Sequence, residues 1–164
     1  MKQTVGFSRW QTIALVVLRY LVGWHILYEG IAKLLNPQWS SLGFLQDSKG
    51  VMEGVAGWII SNPGVLNVVD FLNTWGLIAI GLGLLLGLFS TLAAATGSLL
   101  IFIYYLNAPP LIGVEYILPA DGNNLLVNKT LIEAAALFVL ALFPTSRIFG
   151  FDALILKGKK TETA

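Results

Sequence analysis

The apolar positions fall in long blocks rather than in alternation, and the first block sets the plan of the chain. It runs from about Trp10 to Leu35, WQTIALVVLRYLVGWHILYEGIAKLL. That exceeds the roughly 20 residues of helix needed to cross a bilayer. Asn36-Pro37 stops it. A second block, about Phe71 to Phe89, is crowded with Gly76, Gly81, Gly83 and Gly87, which suits close helix packing. Ser90-Thr91 leaves room only for a tight hairpin before a third block, about Leu92 to Leu106. This one ends in Tyr104-Tyr105, a typical interfacial pair, and Pro109-Pro110 stops it. A fourth block runs from about Leu125 to Phe143 and closes at Pro144-Thr145-Ser146. The pattern predicts an all-α integral membrane protein, a four-helix transmembrane bundle forming a single domain.

Two connectors separate the blocks. Residues 36–70 are too polar for a span and too apolar for a simple loop. The break Ser61-Asn62-Pro63-Gly64 divides this connector into two short amphipathic or re-entrant helices, about 50–60 and 64–72, expected to lie at one membrane face and cap the bundle. Residues 107–124 carry Pro119 and an Asp121-Gly122-Asn123-Asn124 turn. Beyond the fourth block, RIFGFDALIL (Arg147 to Leu156) reads as a short interfacial helix, followed by Lys157, Lys159 and Lys160. The leader resembles a signal peptide in having Lys2 and Arg9 before an apolar run. Arg19 interrupts that run and no small-residue cleavage site follows, so an uncleaved first span is expected.

Composition supports the membrane reading. The chain is 56% hydrophobic and 12% charged, against about 45–50% and about 25% in soluble domains. Net charge +1 with no basic stripe gives no sign of nucleic-acid binding. The absence of cysteine removes disulfides and thiolate chemistry, and a single histidine argues against a metal site. Basic residues cluster toward the termini (Lys2, Arg9, Arg147, Lys157, Lys159, Lys160), while the connectors hold Lys49, with Lys33 and Lys129 near span ends. The positive-inside rule then puts both termini in the cytoplasm and both connectors outside, across a prokaryotic inner membrane.

Candidate chemistry lies inside the spans. Arg19, His25, Glu29 and Lys33 fall within about a third of the first helix's circumference at about 100° per residue, with Gly23 and Gly30 beside them. Ionisable groups are costly in hydrocarbon, so this face is expected to turn into the bundle. The fourth span opens with Asn128, Lys129 and Glu133. In antiparallel spans, Glu29 and Glu133 lie at depths that agree within a turn, and Lys33 and Lys129 each lie four residues nearer the outside. Glu29, Lys33, Lys129 and Glu133 are therefore expected to meet. Arg19 lies about 15 Å deeper than Glu29 and needs another partner or snorkels toward the cytoplasm.

Two readings of the cluster stay open. The charges lock two helices together, or they line a polar pocket in the outer half of the bundle, roofed by residues 36–70. Such a pocket would bind a quinone headgroup, exchange protons through His25, Glu29 or Glu133, or hold a small anion. Trp10, Trp39, Trp58 and Trp75 read as interfacial anchors.

Arg19, Gly23, Gly30 and Lys33 in LRYLVGWHILYEGIAKLL resemble the first-span signature of the DoxX/DoxD family of small four-span membrane proteins. The glycine-rich second span, the run LVNKTLIEAAALFVLALF and the ending PTSRIFGFDALI, with Arg147, Gly150 and Asp152, are similar to that family over nearly the whole chain. The resemblance implies membrane redox or sulfur metabolism, since DoxD and DoxA are the subunits of a thiosulfate:quinone oxidoreductase. It implies a quinone rather than a covalently held cofactor, and a redox partner subunit; with no cysteine here, sulfur ligands would come from substrate or partner. Three function classes follow: a quinone-linked oxidoreductase subunit, a non-enzymatic scaffold or assembly factor for a larger complex, and a small homo-oligomeric transporter.

Overall fold

The computed structural model describes residues 8–111, 113, 116 and 126–153. In chain order its α-helices are α1 (Arg9–Leu35), α2 (Leu42–Gln46), α3 (Glu53–Ile60), α4 (Pro63–Leu86), α5 (Ser90–Asn107) and α6 (Lys129–Leu142). Short 3-10 turns cover Gly50–Met52 and Thr145–Arg147. The helices α1, α4, α5 and α6 run up and down in turn, α1 packing chiefly on α4 and α5 on α6. The α1–α6 contact is the slightest of the ring. Ile26, Leu77, Leu84, Ala94 and Leu137 form the centre of the core.

Local chemistry explains the helix ends. Ser8 caps α1 in a reciprocal box with Gln11: the Gln11 N–H donates to Ser8 Oγ at 3.2 Å, and the Ser8 N–H to Gln11 Oε1 at 2.8 Å. Pro63 stands in the first turn of α4, where a missing N–H costs nothing. Gly87 ends α4 in the left-handed region, φ 64°, as glycine does at low cost.

Three helices, α1, α4 and α5, are long and apolar enough to cross a membrane. The protein is thus a helical membrane protein. The expected fourth span is shorter than its apolar block: α6 holds 14 residues, about 21 Å of rise. It starts at Lys129 because Asn128 caps it, accepting from the Leu131 N–H at 2.9 Å. The expected separate helix over 64–72 does not exist. That stretch is the first part of α4, which continues unbroken from Pro63. Its polar Asp70 is accommodated because Ser41 donates to it, from the backbone N–H at 2.8 Å and from Oγ at 2.5 Å. The expected helix over 50–60 is present as the Gly50–Met52 turn running into α3. The leader before Ser8, the Asp121–Asn124 turn and the basic tail lie outside the described residues.

The segment after α6 closes the end of the bundle that holds Gly87. Arg19 is buried there, 1% exposed. It donates to Thr145 Oγ1 at 3.1 Å and to the Phe149 carbonyl at 2.7 Å. The expectation of a separate partner for Arg19 holds, and the partner is this segment. Gly150 meets Gly87 so closely that a Cβ on Gly87 would stand 2.8 Å from Gly150 Cα. Asp152 then accepts the Phe89 N–H at 2.8 Å and the Ser90 N–H at 3.2 Å, a carboxylate at the start of α5. RIFGFDALIL therefore ties the α4–α5 hairpin through its first residues; its part beyond 153 lies outside the described residues.

Burial by itself would raise the Asp152 carboxyl. The Ser146 hydroxyl, the Phe89 and Ser90 amides and the Arg147 charge outweigh it and hold the group below the usual carboxylate value. A carboxylate with a lowered folded pKa stabilises fully above its unfolded pKa and loses that contribution as pH falls through the folded value. Thermal melts of the wild type and Asp152→Asn are therefore expected to differ at neutral pH and to converge on acidification.

Candidate functional site

At the opposite end of the bundle, near Leu35, the chain between α1 and α4 folds back over the helix ends. The Ser41–Asp70 hydrogen bonds hold it to α4. The Asn107 side chain, donating to the Phe44 carbonyl at 3.0 Å, and the Lys49 N–H, donating to the Asn107 carbonyl at 3.1 Å, hold it to α5. Beneath it lies a cavity of about 420 Å³ lined by Glu29 and Lys33 of α1, Trp39, Ser41 and Phe44 of the connector, Asn73 of α4 and Tyr104 of α5. Residues of the 36–70 connector roof this cavity, and its lining joins the polar Glu29, Lys33, Ser41 and Asn73 to the rings of Trp39, Phe44 and Tyr104.

Lys33 is its centre. Nζ donates to Asn73 Oδ1 at 3.1 Å and stands 3.9 Å from Glu29 Oε2. It also lies over the rings of Trp39, at 5.2 Å, and Tyr104, at 5.5 Å. Aromatic faces stabilise an ammonium withdrawn from water. Phe44 meets Tyr104 edge to face at 5.6 Å. The Tyr104 hydroxyl is buried beside the Asn73 side chain. A buried hydroxyl is costly to leave without a partner. The pocket therefore offers aromatic and apolar walls, a lysine ammonium, a phenolic hydroxyl and a carboxylate at its edge.

The expected meeting of Glu29, Lys33, Lys129 and Glu133 is corrected. Glu29 and Lys33 do pair, but Glu133 takes His25 instead, Nδ1 to Oε1 at 2.7 Å. The reason is the rotation of α1. Its packed face centres on Arg19, Val22, Gly23, Ile26, Leu27 and Gly30, because the glycines admit α4. Gly30 would place a Cβ 2.9 Å from the Ile78 backbone nitrogen. His25 and Glu29 are left at the border of that face, with side chains 59% and 51% exposed. Only Arg19 and Lys33 turn inward, at opposite ends. Asn128 is a helix cap rather than a pocket residue, and Lys129 opens α6 outside the pocket lining.

Trp39 and Tyr104, read from sequence as interfacial anchors, face Lys33 instead. Asn73 and Asp70 were not expected to matter. Their polarity at the start of an apolar block was the available signal.

No protein-family model, curated protein or solved structure matches this chain.

Proposed function

We propose that this chain is a membrane subunit of a quinone-linked oxidoreductase, and that the Lys33 pocket receives the quinone headgroup. The observation that carries the reading is the gathering of Lys33 Nζ and the buried Tyr104 hydroxyl with the aromatic walls of Trp39 and Phe44 in one cavity. A quinone ring is flat and apolar with a carbonyl acceptor at each end, and pockets for such ligands are mostly apolar with a few placed polar groups. The reaction class, and thiosulfate as the class of electron donor, come from the DoxX/DoxD resemblance.

Reduction of a quinone to the quinol takes two electrons and two protons. A redox partner subunit delivers the electrons. Lys33 and Tyr104 hold the carbonyl oxygens, and Glu29, half exposed beside Lys33, passes protons between the pocket and solvent. In this reading α6 serves as the fourth and shortest crossing. Both termini lie in the cytoplasm, and the pocket opens at the outer face of a prokaryotic inner membrane.

Lys33→Met keeps the length of the side chain and removes the donor. Titrating a short-tailed ubiquinone into the protein in nanodiscs is expected to show binding about tenfold or more weaker in this variant, the worth of a charged donor to a buried acceptor. Equal affinity in wild type and Lys33→Met would remove the pocket from the quinone reading.

A further inference from the structure

His25 lies three residues beyond Val22, the midpoint of α1, or about 5 Å along the axis, inside the hydrocarbon layer of a spanning helix. Its side chain is nevertheless 59% exposed on the outside of the bundle. Nδ1 is bonded to Glu133, and Nε2 has no partner among the described residues. A histidine–carboxylate pair turned outward at this depth requires cover by protein or water. It sits on the α1–α6 seam, the weakest contact of the ring. Beside it stand exposed apolar side chains, Leu21 at 65% and Ile132 at 60%.

We propose that this seam docks a second copy of the chain, inserted in the same orientation about a two-fold axis along the membrane normal. Such an axis preserves depth, so only groups at a common depth can pair across it. His25 and Glu133 share one depth, because they are bonded to each other at 2.7 Å. They are also complementary: a protonated imidazole has two N–H donors, and a carboxylate accepts several. Nδ1 donates to Glu133 of the same chain and Nε2 to the partner's Glu133. The reciprocal bond closes a neutral ring of two histidines and two carboxylates. Leu21 and Ile132 extend the contact with apolar area on either side. The arrangement stands independently of the quinone reading, since the pocket lies about 12 Å farther along α1.

The chain has no cysteine, so one introduced cysteine forms a disulfide only with another chain. In native membranes, mild oxidation of Leu21→Cys and of Ile132→Cys is expected to give a covalent homodimer. Leu99→Cys, exposed on α5 and outside the seam, gives only background. Adding His25→Ala and Glu133→Ala to the Leu21→Cys protein is expected to weaken self-association about tenfold, through loss of two interhelical hydrogen bonds. A yield equal to that of Leu99→Cys, a product containing only a different protein, or a dimer unchanged in the double alanine background would each overturn the proposal.

Discussion

Gly81→Val separates α1 from α4 and leaves little folded protein in detergent. A Cβ at Gly81 would stand 2.6 Å from both the backbone nitrogen and Cβ of Leu27, and 2.7 Å from its Cα. These are atoms of the facing helix backbone, so no rotamer change relieves the clash and the helices must move apart. Overpacking of this kind costs about 1–3 kcal/mol for a small addition, and valine adds two more carbons to the same gap. Gly76 supplies the control within the same helix, since a Cβ there meets nothing within 4 Å. Gly76→Ala is expected to be neutral or stabilising by up to about 1 kcal/mol, because alanine is the better helix former. Thermal unfolding of the two variants beside wild type checks both signs; equal melting temperatures would refute the close α1–α4 approach.

Arg19→Leu unfastens the other end of the bundle. The guanidinium is buried and joins α1 to Thr145 and to the Phe149 carbonyl. Leucine fills much of the volume and bonds to neither. Each buried group left without a partner costs about 1–3 kcal/mol, so the loss is the second large one expected in this chain. It should be local at first: limited proteolysis after α6 should accelerate before the whole bundle melts. Arg19→Lys restores charge but not the forked geometry that reaches two acceptors at once, and should recover only part of the loss. Proteolysis at the wild-type rate in Arg19→Leu would show that the Arg19 contacts do not hold this segment.

These two sites show what was readable in advance and what was not. Helix packing was legible in part: Gly23, Gly30 and Gly81 serve it, whereas Gly76 meets nothing within 4 Å and Gly87 ends α4 at φ 64° against Gly150. The start of α4 was not legible because the polar Asn67 and Asp70 stand just ahead of the Phe71 block, where a span would end. A helix extending past the packed core tolerates such residues when something meets them, as Ser41 and Lys33 do here. The pairing of Glu29 with Lys33 could be seen because both lie on one helix four residues apart. Trp39 and Tyr104 could not be assigned to the pocket from their positions, since both come to Lys33 through tertiary folding from other segments. Depth matching brought α1 and α6 together but missed the His25–Glu133 bond. It fixes position along the axis and says nothing of rotation about it, and the glycines on α1 set that rotation.

The central claim is that the Lys33 pocket binds a quinone, and native membranes test it most directly. The protein is extracted in mild detergent, and its lipid-soluble small molecules and companion proteins are identified by mass spectrometry, wild type beside Lys33→Met. The quinone reading predicts a stoichiometric quinone in the wild type that is lost in Lys33→Met while the fold is retained. A wild-type protein that carries no quinone and a reproducible protein partner would contradict it and make the chain a membrane scaffold.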